Sequence, residues 1–111
     1  IDDELHLTWS QRSVDSARGL PNNISQYALI LHLLSKELKI KPGELIGQLE
    51  DTHVYENQIP GVRELLKRKP QALPQIQTPE FTSIFDWTHK DTNHLNYHYD
   101  ENPVDFSEIA V

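Results

Sequence analysis

The chain has 111 residues, a net charge of −7 and no cysteine, so it is one domain at most, with room for a modest core. Its acidity argues against a nucleic-acid or anionic-membrane partner, although one well-placed Arg still holds a single phosphate on an acidic protein. Without cysteine there is no disulfide framework, which suits a reducing, cytoplasmic compartment.

Leu5, Leu7 and Trp9 alternate with His6, Thr8 and Ser10, the period of a half-buried strand over residues 4–12. The strand is under way from the first residues and the chain holds no Met, so the sequence is expected to be a piece of a longer polypeptide. A polar connection from Ser13 to Asn23 carries Gly19 and Pro21 as turn punctuation. From Ile24 to Leu38 apolar residues cover nearly the whole helical circumference, which predicts a buried helix closed by Lys39, Pro42 and Gly43. A second strand is expected from Glu44 to Asn57. A short amphipathic helix follows, with Pro60 in its first turn and Val62, Leu65 and Leu66 turned inward. "ALPQIQT" reads as a third strand and "FTSIFDW" as a helical turn or loop. Leu95, Tyr97 and Tyr99 mark one more strand, and "NPVDFSEIAV" is a tail. No apolar run approaches the ~20 residues of a membrane span. Strands grouped around one buried helix predict an α+β domain with a mainly antiparallel or mixed sheet.

The polar crowd before the helix is what packing does not require. Arg12 and Ser13 offer a guanidinium and a hydroxyl that suit a phosphate. In isolation the plainer reading, an exposed strand-end salt bridge, is favoured. Asn22 and Asn23 read as a turn and an N-cap, or as a carboxamide meeting a base edge. An Asn carboxamide matches the N3–H and C4 carbonyl of uracil, whereas cytosine reverses that pattern. Strand alternation places His53 and Tyr55 on one face, where two polar rings can grip a hydroxyl or simply face solvent. His89, His94 and His98 lack the spacing of a metal site and read as surface histidines, so no metal is expected.

Taken together, "QRSVDSARGLPNNISQYAL", "LKIKPGELIGQLEDTHVYEN", "PQALPQI" and the terminal "IAV" resemble the C-terminal part of thymidylate synthase. The family pattern reads roughly QRS-x-D-x-x-x-G-x-P-F-N-I-x-x-Y-A, then G-D-x-H-x-Y-x-N-H, and the likeness runs in order along nearly the whole chain. The resemblance implies a thymidylate synthase-like α+β fold, dUMP as substrate and 5,10-methylenetetrahydrofolate as co-substrate. It also implies a homodimer that lends phosphate-binding arginines from the second subunit. By the same resemblance Arg12 and Ser13 hold the phosphate, Asp15 lies beside base and folate, and Asn23 reads the uracil edge. His53 and Tyr55 hold the deoxyribose 3′-hydroxyl, Gly19 and Arg18 line the folate side, and Val111 ends a mobile tail that closes over folate. The family's nucleophile is a Cys in a Pro-Cys-His motif upstream of the Arg. Its position falls before Ile1, so this piece alone is expected not to catalyse the reaction.

Departures from the family pattern include Asn22 for Phe, Arg18 for Leu, Gln26 for Ser, and Gln58 for His. Gln58 stands near the sugar-binding strand, with no consequence assigned to it. In the phage deoxycytidylate hydroxymethylases, which resemble the family in fold, the Phe position is also Asn and the next residue is Asp. The pair Asn22–Asn23 therefore looks most like a phage deoxyuridylate hydroxymethylase. In both chemistries a thiolate adds to C6 and an electrophilic exocyclic methylene forms at C5. A dry apolar wall favours hydride transfer from tetrahydrofolate to that methylene, giving thymidylate and dihydrofolate. A polar Asn22 can hold a water there instead, giving 5-hydroxymethyl-dUMP. An ordinary thymidylate synthase is the second reading, and a non-catalytic folding or dimerisation fragment the third.

Overall fold

A computed structural model of the protein describes residues 3–78, 80, 83–91, 93–95, 97–99, 101–104 and 106. Strand β1 (Glu4–Asp15), helix α1 (Leu20–Leu38) and strand β2 (Lys41–His53) form one βαβ unit. Helix α2 (Ile59–Leu66) and strands β3 (Gln75–Gln77) and β4 (Asn93–Leu95) follow, with 3-10 turns at Glu56–Gln58, Ile84–Asp86 and His89–Asp91. In place of the one mainly antiparallel or mixed sheet expected, the strands form two separate pairs, β1–β2 parallel and β3–β4 antiparallel. A parallel pair needs a long crossover, and α1 supplies it.

The β1–β2 register places Leu7 beside Leu45, Trp9 beside Gly47, Gln11 beside Leu49, Ser13 beside Asp51 and Asp15 beside His53. A shift between Leu5 and Leu7 marks an irregularity at the start of the ladder. Here the His6 imidazole accepts a hydrogen bond from the Glu44 N–H at 2.9 Å. Trp9 stacks on Tyr27 of α1, with ring centroids 4.9 Å apart and planes 17° from parallel. The core is Trp9, Val14, Leu31 and Leu33.

Several boundaries differ from expectation, among them the start of β2 at Lys41 rather than Glu44, which puts Pro42 and Gly43 in the strand, and β3, reduced to Gln75–Gln77. β1 runs on to Asp15 because its ladder with β2 continues through Ser13 and Val14. α1 begins at Leu20 rather than Ile24, since Pro21 sits in the first turn, where a missing N–H leaves no hydrogen bond unmade. β2 stops at His53 rather than near Asn57, because the Gln58 N–H turns back to the Tyr55 carbonyl at 2.9 Å and opens a 3-10 turn.

Burial is less complete than the apolar pattern of α1 suggests: Ile24, Ile30 and Leu38 are 43%, 39% and 55% exposed. Two strands spaced about 4.8 Å apart are narrower than a helix with its side chains, so they cover one side of it. Leu65 and Leu66 of α2, expected inward, are exposed. Tyr97 and Tyr99, expected on a strand, lie beyond the end of β4 and are exposed, with their rings 5.4 Å apart. At the far end of α1, His32 lies 3.3 Å from the Thr78 hydroxyl, and Lys36 binds both that hydroxyl and the Thr78 carbonyl. Burial, then the Lys36 charge, lowers the His32 pKa.

Gly47 is required by close approach rather than by its torsion angles. A Cβ built on it would lie 2.5 Å from Cζ2 of Trp9, inside any tolerable contact. Gly47→Ala should push the indole off Tyr27 and destabilise the fold by roughly 1–3 kcal/mol. The urea midpoint checks this, and an unchanged midpoint would show that the ring has room to shift.

Candidate functional site

Asp15 ends β1, and its carboxylate organises the turn into α1. Oδ1 accepts hydrogen bonds from the Ala17 N–H at 2.9 Å and the Arg18 N–H at 3.0 Å, while the Asp15 carbonyl accepts from the Gly19 N–H at 2.9 Å. This Asx-type turn shapes the approach to the helix, where the sequence suggested a turn and an N-cap at Asn22 and Asn23. Those two residues lie inside the first turn of α1 instead, and the cap position is Gly19, with no side-chain cap. The other carboxylate oxygen, Oδ2, accepts from Gln58 Nε2 at 2.8 Å. Burial pushes the Asp15 pKa up, but hydrogen bonds from Gln58, Arg18 and Ala17, with the nearby His53 charge, outweigh it. The net effect holds the carboxyl below its ordinary 3.8.

Gln58 is 3% exposed. Its Oε1 accepts from the Tyr55 N–H at 3.0 Å while its Nε2 serves Asp15. The amide thus ties the end of β1 to the turn after β2.

A second amide relay sets Asn23. The Trp9 indole N–H donates to Gln11 Oε1 at 3.1 Å. An indole only donates, so the Gln11 amide has one orientation. Its Nε2 then donates to the Ser13 carbonyl and to Asn23 Oδ1, each at 3.2 Å. Asn23 is thereby oriented too, with its oxygen toward Gln11.

His53 and Tyr55 do meet, but through the turn rather than along one strand face. Their centroids are 5.1 Å apart at 74°, with Tyr55 extended at the head of the 3-10 turn. His53 Nδ1 lies 3.2 Å from the Asp51 carbonyl. A carbonyl only accepts, so this nitrogen donates and Nε2 is left as the available acceptor of the neutral ring.

Strand alternation separates the remaining candidates. Gln11, Ser13 and Asp15 share one face of β1, toward α1, whereas Arg12 lies on the opposite face with Ser10 and Val14. Arg12 is exposed and has no ion-pair partner among the described residues, so the strand-end salt bridge is not formed there. Asn22 donates through Nδ2 to the Arg18 carbonyl at 3.2 Å. Gly19 lies under the site, where an added Cβ would stand 3.1 Å from the Asp15 carbonyl. Val111 lies outside the described residues. A cavity of about 490 Å³ lined by Arg68, Lys69, Leu73, Pro74, His98 and Tyr99 shares no residue with this constellation. Among the described residues there is no group of three or more His, Asp or Glu able to hold a metal ion, and no helix long and apolar enough to cross a membrane.

Two contributors escaped the sequence reading. Gln11 carries a weak signal, being two residues before Ser13 and so on its face. Gln58 carries a better one, standing three residues after Tyr55 where a Gln can reach back to cap a turn.

The family model described as thymidylate synthase matches residues 1–108. A probable thymidylate synthase of Escherichia phage T5 is 43% identical over 106 residues, covering 93% of this chain and 38% of that protein. The thymidylate synthase of Mycoplasma pneumoniae is 36% identical over 110 residues, covering 99% of this chain and 38% of its own length. That of Leuconostoc mesenteroides is 37% identical over 111 residues, covering 99% and 34%. The chain belongs to the thymidylate synthase family. It spans little more than a third of the length of these curated relatives.

The lowered Asp15 pKa has a stability consequence of definite sign. A depressed carboxyl contributes stability above its unfolded pKa and loses it as pH falls through the folded value. Stability should therefore drop on acidification from about pH 4 downward, and Asp15→Asn should flatten that drop. Urea midpoints of the two proteins across this range provide the check. Parallel curves would mean the carboxylate is not held by its hydrogen bonds.

Proposed function

We propose that the protein carrying this chain transfers a one-carbon unit to C5 of dUMP, and that within this chemistry it is a deoxyuridylate hydroxymethylase. The observation that carries the substrate is the fixed Asn23 amide. With Oδ1 turned to Gln11, a flip would set Nδ2 against another donor. Asn23 thus offers its acceptor and donor in one order only, which suits the N3–H and C4 carbonyl of uracil. Methylenetetrahydrofolate would supply the one-carbon unit. Asp15, kept ionised, suits the N–H groups of its heterocycle, and Arg18 and Gly19 flank that side. Ser13 shares the face of Asp15, and we assign the nucleotide phosphate to it and to the exposed Arg12 beside it. His53 Nε2 and the Tyr55 hydroxyl take the sugar hydroxyl. We assign the thiolate that attacks C6 to sequence outside this chain, which has no cysteine, and a second copy of the protein to the remaining phosphate contacts.

Asn22 supports the hydroxymethyl product. Its Nδ2 is tied to Arg18, its side chain is exposed, and Oδ1 has no partner among the described residues, leaving an acceptor for a water. Thymidylate synthase is the second reading, favoured by the names of the relatives.

The test supplies the full-length protein with dUMP and methylenetetrahydrofolate, weighs the nucleotide product and follows dihydrofolate. Hydroxymethyl-dUMP without dihydrofolate is expected, while thymidylate with an equal amount of dihydrofolate would sink the hydroxymethylase reading. Asn22→Phe should shift the product ratio toward thymidylate by about tenfold or more, the worth of one or two hydrogen bonds to water. Asn23→Asp should move preference from dUMP toward dCMP by at least about tenfold, measured as the ratio of kcat/KM values.

A further inference from the structure

We propose that Gln58 is a positioning residue of this site: its buried carboxamide locks the Asp15 carboxylate and the Tyr55 backbone into one fixed relation, so that the two ends of the site move together. The inference rests on the reading of Asp15 and Tyr55 as substrate-side groups given above.

Gln58 is 3% exposed, and both ends of its amide are spoken for. Nε2 donates to Asp15 Oδ2 at 2.8 Å, and Oε1 accepts from the Tyr55 N–H at 3.0 Å. The amide cannot flip, because the reversed form would set an oxygen against a carboxylate and one donor against another. The partners come from different strands of the βαβ unit, at the end where both strands finish. Asp15 closes β1, and Tyr55 follows β2 with its ring against His53 at 5.1 Å. Buried, charge-assisted contacts of this kind are short and directional. The other groups bearing on Asp15 are His53 from β2 and the Ala17 and Arg18 N–H groups of the turn. Asp51, 3.4 Å from His53, lies one step further out. None of these reaches Asp15 Oδ2 among the described contacts, so the orientation of that oxygen falls to Gln58.

Gln58→Glu is the discriminating variant. It keeps the shape and the acceptor for Tyr55, but it faces Asp15 with a second carboxylate. Two carboxyls at that separation share a proton as pH falls, and the protonated one then donates as the amide does. In the full-length protein, turnover of dUMP by Gln58→Glu should fall on the order of tenfold to hundredfold at about pH 8, the worth of a hydrogen bond to a charged group. It should recover toward about pH 6, an interval over which the parent protein gains nothing comparable. A role in packing alone would give a pH-independent loss, and that result overturns the proposal.

A second readout does not need turnover. With ¹³C-labelled aspartate, the Asp15 carboxyl is assigned by its loss in Asp15→Asn and titrated by NMR. Its midpoint should rise in Gln58→Glu, and also in Gln58→Leu, which removes the donor without adding charge. An unmoved midpoint in both variants overturns the proposal. Absence of any C5-substituted product from the parent protein would instead overturn the proposed function, while the titration still decides the role of Gln58.

Discussion

Parallel strands share their hydrogen bonds in a single register, and here that register seats Ser13 beside Asp51 and Asp15 beside His53. Everything at the site is referred to that pairing. β1 delivers Gln11, Ser13 and Asp15 on one face, and β2 arrives alongside with His53 at the same level. The crossover helix then brings Asn23 down onto Gln11. A slip of one residue would turn each of these side chains to the wrong face. The ladder is therefore as much a part of the site as the groups that would touch a ligand.

Within that frame, orientation is handed along by amides. An amide is ambiguous in isolation, since its two ends are nearly the same shape and opposite in hydrogen-bonding sense. The ambiguity is removed at Gln11 by a group that only donates, the Trp9 indole. It is removed at Gln58 by a donor on one side and a carboxylate on the other. Neutral side chains thus set the direction of the polar surface with no ionisable intermediary. Burial alone would push the Asp15 pKa up; four favourable neighbours reverse the sign.

Much of this was legible in the residues. The alternation of Leu5, Leu7 and Trp9 revealed β1, and the apolar run through Leu31 and Leu33 revealed α1, because periodicity follows directly from which side is dry. The nearness of His53 to Tyr55 was readable as well, though for the wrong local reason, since the strand ends between them. Other features came from contacts far apart in sequence. Gln11 meets Asn23 across the sheet–helix layer and Gln58 meets Asp15 from 43 residues further along the chain, and no local pattern in Gln58 names its partner. The helix start was misread because the turn held by Asp15 ends at Gly19 and Pro21 opens the helix early, leaving Asn22 and Asn23 to the first turn. Arg12 and Ser13 are adjacent in sequence, yet a strand sends neighbours to opposite faces, so adjacency alone does not give their arrangement. The exposed apolar residues of α1 reflect the narrowness of a two-stranded ribbon, which composition does not reveal.

Trp9 and Gly47 sit side by side in the ladder, and the indole occupies the space a larger residue at 47 would claim. Such a pair cannot drift independently over evolutionary time. A lineage that acquires a side chain at 47 must shrink or displace the ring at 9, and with it goes the donor that sets Gln11 and, one contact later, Asn23. A position that carries no functional group, and touches the polar chain only at the Trp9 ring, is therefore under the same inherited constraint as the carboxamide at its far end. Among relatives, the two sites should change in concert or stay as they are.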